Sequence, residues 1–105
     1  IEVAKQYLKT GLALNSYKNS ITAFENFISD HPGSIFREDA YFGRFQAQYE
    51  LALQSVPKKV ENRLQVAIEY FNDLMKYYEQ SELAEKAKEI KKDIDKKIET
   101  IKVSS

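Results

Sequence analysis

The 105-residue chain has no cysteine and no excess of charge of either sign. The absence of cysteine excludes disulfide bonds, thiolate catalysis, and zinc or iron–sulfur sites with cysteine ligands. Sixteen basic and sixteen acidic residues balance, so there is no overall basic field to attract nucleic acid. No apolar run approaches the roughly 20 residues of a membrane-spanning helix, and we recognise no signal peptide.

The residues that are present favour a packed helical core. Hydrophobic residues make up 43% of the chain and aromatic residues 12%, which argues against intrinsic disorder. Apolar residues recur at three- and four-residue spacing, as on one face of a helix. Between Tyr17 and Ile28, for example, this spacing places Ile21, Phe24 and Phe27 on one side. No segment alternates like a strand, so we predict an all-α fold.

Residues that stop or start helices divide the chain into about five helices. The first fades near Asn15, and Pro32 stops the second. Ser34 and Ser81 are suited to cap the helices that follow them, and Pro57 separates the third helix from the fourth. The predicted helices cover about residues 1–15, 17–30, 34–55, 59–79 and 81–101.

Two segments of the chain, Ile21–Ser34 and Ile68–Ser81, share one outline and lie 47 positions apart. In the gapless alignment their first and last residues are identical, and Phe24 falls on Phe71. An internal repeat of this kind is typical of stacked helix pairs, in which neither pair buries its apolar face alone.

Residue spacing indicates helix pairs of the tetratricopeptide type. Gly11 and Ala23 are 12 positions apart, so we expect them to meet where the two helices of the first pair cross. A tetratricopeptide unit has about 34 residues, and 34 positions separate Tyr7 from Tyr41. The 47-residue repeat is 13 residues longer, and we expect the extra residues within about 51–62, in a longer helix and an extended turn.

These features predict one domain of antiparallel tetratricopeptide-like helix hairpins, residues 1–105. Residues 1–33 form the first helix pair, residues 34–80 the second pair with its extended turn, and residues 81–105 a C-terminal capping helix. We interpret the isoleucine stripe of this last helix as a lid on the fourth helix, because the final unit of a stack needs a capping helix with one polar outer face. Alternatively, the part of the stripe past Ile98 contacts a partner. The chain opens within a helical pattern, so we interpret it as part of a longer protein.

The order of parts in the second half of the chain carries a family resemblance. A long helix leads through a lysine-rich turn into a helix with an Ala-Ile-x-x-Phe pattern, and a serine-initiated helix follows; the residues are Leu51, Ala52, Gln54, Ser55, Lys58, Lys59, Glu61, Arg63, Ala67, Ile68, Phe71, Ser81 and Ile90. In this order the parts resemble the C-terminal end of the BamD-like family, the tetratricopeptide lipoproteins of the bacterial β-barrel assembly machinery.

The resemblance implies a scaffold in the assembly and insertion of outer-membrane β-barrel proteins. Its expected partners are BamA-like POTRA domains and other subunits of the assembly machine, at the periplasmic face of the outer membrane. Membrane attachment is expected only through a lipid anchor outside this chain. The alternative is a soluble tetratricopeptide adaptor that binds a peptide or a partner protein in its concave groove.

No catalytic or metal-binding pattern is apparent, so we predict that the chain is not an enzyme and needs no cofactor. There is no glycine-rich phosphate loop, no nucleophile with a placed base and no metal-ligand spacing. His31 is the single histidine and we interpret it as a turn residue beside Pro32. Asp93 and Asp95 are flanked by lysines, which is typical of a solvated helix face rather than a metal site.

A partner surface is predicted on the third helix, because the first helix of each tetratricopeptide pair lines the concave face. Tyr41, Arg44 and Gln48 lie at three- and four-residue spacing and share one side of the helix. An aromatic, a cation and an amide suit the recognition of another chain better than a core. Arg63, beside the turn, is a second candidate because a guanidinium binds a carboxylate bidentately. The alternative for Arg44 is an internal ion pair.

Adjacent aromatic residues occur twice, at Tyr41-Phe42 and at Tyr77-Tyr78. Neighbours in a helix point about 100° apart, so both members of a pair cannot face the same core. One member of each pair is therefore expected at a boundary between helices or on a partner surface.

Overall fold

The computed structural model describes the backbone of residues 11–104 and the side chains of residues 14–103. Four helices account for most of this part: α1 (Gly11–Asp30), α2 (Arg37–Leu53), α3 (Pro57–Tyr78) and α4 (Glu82–Ser104). Because residues 11–104 contain helices and no strand, the predicted all-α class is confirmed.

Two of the three predicted helix-start residues lie at helix starts, and Ser34 does not. Helix α2 begins at Arg37, its N-cap residue is Phe36, and no side chain caps it. The Ser34 hydroxyl oxygen accepts a 3.0 Å hydrogen bond from the N–H of Phe36 within the preceding turn, so the predicted cap at Ser34 is wrong. Pro57 is the first residue of α3, where its missing N–H and fixed φ are tolerated. The Ser81 hydroxyl oxygen accepts a 3.0 Å bond from the N–H of Ala84, which is the N-cap arrangement predicted for α4.

Replacing the serine before α4 should weaken the fold measurably. We expect Ser81→Ala to lower the free energy of unfolding by about 1 kcal/mol, because the N–H of Ala84 loses its acceptor. Urea unfolding followed by far-ultraviolet circular dichroism measures this. Ser29→Ala is the matched control, because Ser29 is an exposed residue within α1 and alanine is the better helix former there. An equal loss in both variants would contradict the capping role.

Helix α2 is the centre of the fold and packs against the other three helices. Neighbouring helices run antiparallel: the start of α2 contacts the end of α3 through Tyr41 and Tyr78, and its end contacts the start of α3 through Ser55 and Arg63. All four helices contribute to the interior, which contains Ile21, Ala40, Tyr41, Phe45, Ala47, Leu51, Ala52, Leu64, Ala67, Leu74, Ala84, Ala87, Ile94 and Ile98.

The close approach of α1 and α2 depends on a glycine. A Cβ atom at Gly43 would lie 2.5 Å from the Phe24 ring, far inside van der Waals contact. The ring of Phe24 therefore fills the space that a side chain at this position would need, and the aromatic residue of α1 reaches the backbone of α2.

The predicted first helix pair differs from the observed fold. Helix α1 continues through Asn15 and Ser16, where the sequence analysis placed a turn. Neither residue breaks a helix as proline does, and Leu14, Tyr17 and Ile21 hold this part of α1 against α2. Residues twelve apart in one helix are separated by about 18 Å, so the expected contact of Gly11 with Ala23 is wrong. Residues 1–10, including Tyr7, lie outside the described residues.

The predicted extended turn is also wrong, because α2 and α3 are joined by only three residues, 54–56. Pro57 starts α3 at once, so the extra length of the repeat lies in helices of 17 and 22 residues. The 47-residue repeat itself matches the helices well. A shift of 47 positions carries α1 onto residues 58–77 of α3 and α2 onto residues 84–100 of α4.

Candidate interaction surfaces

Tyr41, predicted to face a partner, lies in the interface between α2 and α3. It is only 5% exposed, and its ring centre lies 5.6 Å from that of Tyr77 and 5.8 Å from that of Tyr78. The guanidinium carbons of Arg37 and Arg44 lie 5.1 and 5.4 Å from its ring centre. Burial raises the pKa of Tyr41, although the two cations act against the rise. Tyr77 is the outward member of its adjacent pair, since half of it is exposed.

Arg44 forms an ion pair across the same interface. Its Nη2 donates to Oδ2 of Asp73 at 2.8 Å, and its guanidinium carbon lies 4.1 Å from the ring centre of Tyr70. The Arg44 side chain is 12% exposed and that of Asp73 is 49% exposed. Arg44 therefore forms an internal ion pair, which was the alternative to a contact with a partner protein.

Gln48 and Arg63 tie the two helices together near their short link. The amide nitrogen of Gln48 donates to the backbone carbonyl of Arg63 at 3.0 Å, and this bond satisfies a buried polar side chain. The Arg63 guanidinium donates to the Ser55 hydroxyl oxygen, which in turn donates to the carbonyl of Leu51 at 2.6 Å.

The structure thus brings the four predicted residues together along one interface, but not on an open face. Three of them project from α2 towards α3, and Arg63 projects back from α3. The expectation that Tyr41, Arg44 and Gln48 form an exposed face is wrong. Nη2 of Arg44 and the amide nitrogen of Gln48 find acceptors within the chain, whereas Nε of Arg44 is buried without a hydrogen-bond partner.

A polar contact that the sequence analysis missed joins α2 to α4. The Tyr49 hydroxyl donates to Oδ2 of Asp93, and Nζ of Lys97 lies 3.4 Å from the same oxygen. Burial, together with the bond to Asp93, raises the pKa of Tyr49 to about 12. The bond from Tyr49, supported by Lys97, lowers the pKa of Asp93 although burial opposes this. The partners are 44 positions apart, so no local spacing signals the contact.

We expect Tyr49→Phe to lower the free energy of unfolding by about 1 kcal/mol at neutral pH, because the variant loses the hydrogen bond to Asp93. The loss stays this small because Asp93 is 41% exposed and water screens the bond. The folded pKa of Asp93 lies below its ordinary 3.8. The contribution is therefore present above that value and is lost as the pH falls through the lower folded pKa.

Urea unfolding of the wild type and Tyr49→Phe at several pH values checks this expectation. The difference between the two should be full near neutrality and should shrink below pH 3.8, the ordinary pKa of Asp93. Tyr70→Phe is the control, because the Tyr70 hydroxyl makes only an exposed 3.3 Å bond to Glu25. A Tyr49→Phe difference that does not change with pH would contradict the assignment.

His31 and Asp95, which were also singled out in the sequence, lie at the surface. His31 is exposed in the turn after α1, and its ring centre lies 4.8 Å from that of Phe27. Asp95 pairs with Lys91 at 2.9 Å along α4. Among the described residues, no three histidine, aspartate or glutamate side chains are grouped to hold a metal ion.

The turn between α1 and α2 carries an apolar surface that the sequence analysis did not single out. Ile35 is 85% exposed and Phe36 is 60% exposed. Next to Phe36, a groove of about 320 Å³ is lined by Ala23, Phe24, Phe27, Phe36, Asp39 and Ala40. We define the first-turn surface as Ala23, Phe24, Phe27, Ile35 and Phe36. The sequence does contain a sign of this surface: the apolar pair Ile35-Phe36 directly follows the Pro-Gly-Ser turn, where polar residues are usual.

Comparison with known proteins adds no relative. No model of a known protein family, no curated protein and no solved structure matches the chain. Within residues 11–104, no helix combines the length and the apolar character needed to cross a membrane.

Proposed function

We propose that the chain is a non-catalytic scaffold for protein–protein interaction, built from tetratricopeptide-like helix hairpins. The observation that carries the proposal is the order of contacts. Helix α2 packs against α1, α3 and α4. Helix α1 lies mainly against α2 and reaches α3 through side chains, such as the 3.3 Å bond from the Tyr70 hydroxyl to Glu25. Contacts between successive units are typical of stacked helical repeats, and the 47-residue repeat of the hairpins supports the same organisation.

Within this class, the resemblance of the second half favours the C-terminal part of a BamD-like lipoprotein in outer-membrane β-barrel assembly. On this proposal the protein acts at the periplasmic face of the outer membrane. It binds BamA-like POTRA domains and other subunits of the assembly machine, and the lipid anchor lies outside this chain. The support is the long α2, the lysine-containing start of α3 and the serine-capped α4, in the family's order.

The test is binding of the full-length protein to purified POTRA domains of the BamA-like protein from the same organism. Isothermal titration calorimetry should give a dissociation constant tighter than about 100 µM. An unrelated domain of similar size and charge is the control. A fully helical protein that shows no binding at that concentration would contradict the BamD-like assignment.

A soluble adaptor that binds a peptide or a partner protein is the second candidate, and the apolar groove between α1 and α2 favours it. The sequence upstream of this chain discriminates the two. A signal peptide that ends in a lipid-acceptor cysteine would favour the lipoprotein. An upstream sequence without a signal peptide would favour the adaptor.

A further inference from the structure

A second arginine lies between α2 and α3 in the same way as Arg44. The guanidinium carbon of Arg44 lies 5.4 Å from the ring centre of Tyr41 and 4.1 Å from that of Tyr70. The guanidinium carbon of Arg37 lies 5.1 Å from the Tyr41 ring centre and 5.5 Å from that of Tyr77. In both arginines Nε is buried without a hydrogen-bond partner, so the aromatic rings position each guanidinium.

The two arginines are related by a shift of seven residues along an antiparallel pair of helices. Arg37 precedes Arg44 by seven residues on α2, and Tyr77 follows Tyr70 by seven residues on α3. Seven residues make nearly two full turns, so equivalent residues lie on one face of each helix. Because α2 and α3 run antiparallel, the opposite shifts lead to the same end of the interface. The surroundings of Arg37 therefore repeat those of Arg44, about 10 Å nearer to the start of α2.

The repeated arrangement lacks the acid. Asp73 accepts a 2.8 Å bond from Nη2 of Arg44. Seven positions after Asp73 the chain has Gln80, which is neutral and exposed in the turn after α3. Among the described residues, no carboxylate forms an ion pair with Arg37. Arg37 therefore has two aromatic rings around it, as Arg44 does, but no carboxylate.

The two acids that follow Arg37 in the sequence do not take that place. Glu38 and Asp39 belong to the first turn of α2. Successive helical residues point about 100° apart, so these side chains leave α2 in other directions than Arg37 does. Asp39, for example, lines the groove between α1 and α2. The charge of Arg37 is thus left without a partner on the α3 side.

The surface around Arg37 has the composition of a site for an acidic segment. Tyr77 is 52% exposed, and Phe36, directly before Arg37, is 60% exposed. Lys76 is exposed, its Nζ lies 5.4 Å from the Tyr77 ring centre, and it forms no ion pair with a described residue. Aromatic residues and arginine are enriched at protein interfaces. We define the outer arginine site as Arg37, Lys76 and Tyr77.

Charge complementarity identifies the occupant. We propose that the outer arginine site binds an acidic segment of a partner protein, one carboxylate of which takes the place that Asp73 has beside Arg44. A guanidinium presents parallel N–H groups to such a carboxylate, and Lys76 suits a second acid next to the first. This inference rests on the proposed scaffold function and names the chemistry of a partner segment for it.

The position of the site favours a partner as the source of the acid. Helix α1 runs antiparallel to α2: its first half packs near Ala47 and Leu51, and Phe27 lies near the start of α2. Twenty helical residues span about 30 Å. The chain therefore enters α1 at the end of the stack opposite Arg37, whereas a partner reaches the exposed Tyr77 directly.

The experiment titrates the full chain, labelled with nitrogen-15, with a synthetic peptide in which two adjacent glutamates lie between leucines. Nuclear magnetic resonance should show saturable changes at the Arg37 Nε–H and at the backbone amides of Lys76 and Tyr77. The same peptide with glutamines in place of the glutamates should bind about tenfold more weakly or worse, because the charge-assisted hydrogen bonds are lost.

Variants of the chain locate the binding. Arg37→Gln should abolish the response of Tyr77, whereas Lys96→Gln, which removes the same charge at an exposed position near the start of α3, should not. Gln80→Glu leaves the arginine in place and supplies an acid from within the chain, so it should also weaken peptide binding about tenfold. Gln65→Glu, which adds the same charge at an exposed position in the first half of α3, should leave the affinity unchanged.

Three results would overturn the inference. The first is no saturable change, or a change that persists in Arg37→Gln. The second is a saturable change that appears only after Glu2→Gln, because Glu2, the single acid among residues 1–10, would then occupy the site in the free chain. The third is a dimer in sedimentation that Arg37→Gln dissociates, because a second copy would then supply the acid. The titration contains no POTRA domain, so failure here and failure of the proposed function are distinguishable.

Discussion

Phe45→Ala is expected to lower the free energy of unfolding by about 3–5 kcal/mol, because it removes a fully buried ring from the centre of the fold. Phe45 lies on α2, the helix that contacts all the others, and packs against Phe71 of α3. The deletion removes buried apolar area and leaves a cavity that α1, α3 and α4 cannot all close. Since small domains are stable by only about 5–15 kcal/mol, the variant should be close to unfolding.

Urea unfolding at constant temperature measures this loss, and Phe36→Ala is the matched control. The same side chain is removed there from a position that is 60% exposed, so the change should stay within about 0.5 kcal/mol. A Phe45→Ala variant that unfolds at the same urea concentration as the control would show that α2 is not the central helix.

The helix boundaries that the sequence predicts well are those set by local chemistry. Pro57 starts a helix because of its own ring, and Ser81 caps one because its hydroxyl reaches an N–H three residues later. Both effects operate within one turn, so they are readable without knowledge of the fold. The boundary predicted at Asn15 failed because neither it nor Ser16 opposes a helix strongly, and packing on α2 determined the outcome.

The location of the polar face on α2 was not predictable from its own residues. Tyr41, Arg44 and Gln48 share a side of the helix, as their spacing requires, but burial depends on what lies opposite. The acceptor for Gln48 is a backbone carbonyl 15 positions away, and the acid for Arg44 is 29 positions away. Composition alone therefore favours an open surface, and only the packing of α3 supplies the partners that make burial possible.

Arg44→Glu is expected to lower the free energy of unfolding by about 2 kcal/mol. The substitution removes the 2.8 Å ion pair with Asp73 and the contact with the Tyr70 ring, and it places two carboxylates next to each other. Asp73 is 49% exposed, so water screens the charge pair and the loss stays below that of a fully buried pair.

Reversing the charge of Asp73 as well distinguishes the loss of the ion pair from a general disturbance of the interface. The double variant Arg44→Glu with Asp73→Arg restores opposite charges and should regain about half of the lost stability, measured as a double-mutant cycle by urea unfolding. Lys76→Glu, at an exposed cation near the Tyr77 ring, is the control and should change the stability little.

If Arg44→Glu unfolds like the wild type but no longer binds its partners, Arg44 acts on an open face and the interior pair is not its role. If the single variant loses stability and the double variant regains it, the polar face of α2 holds α2 against α3 in the interior of the fold.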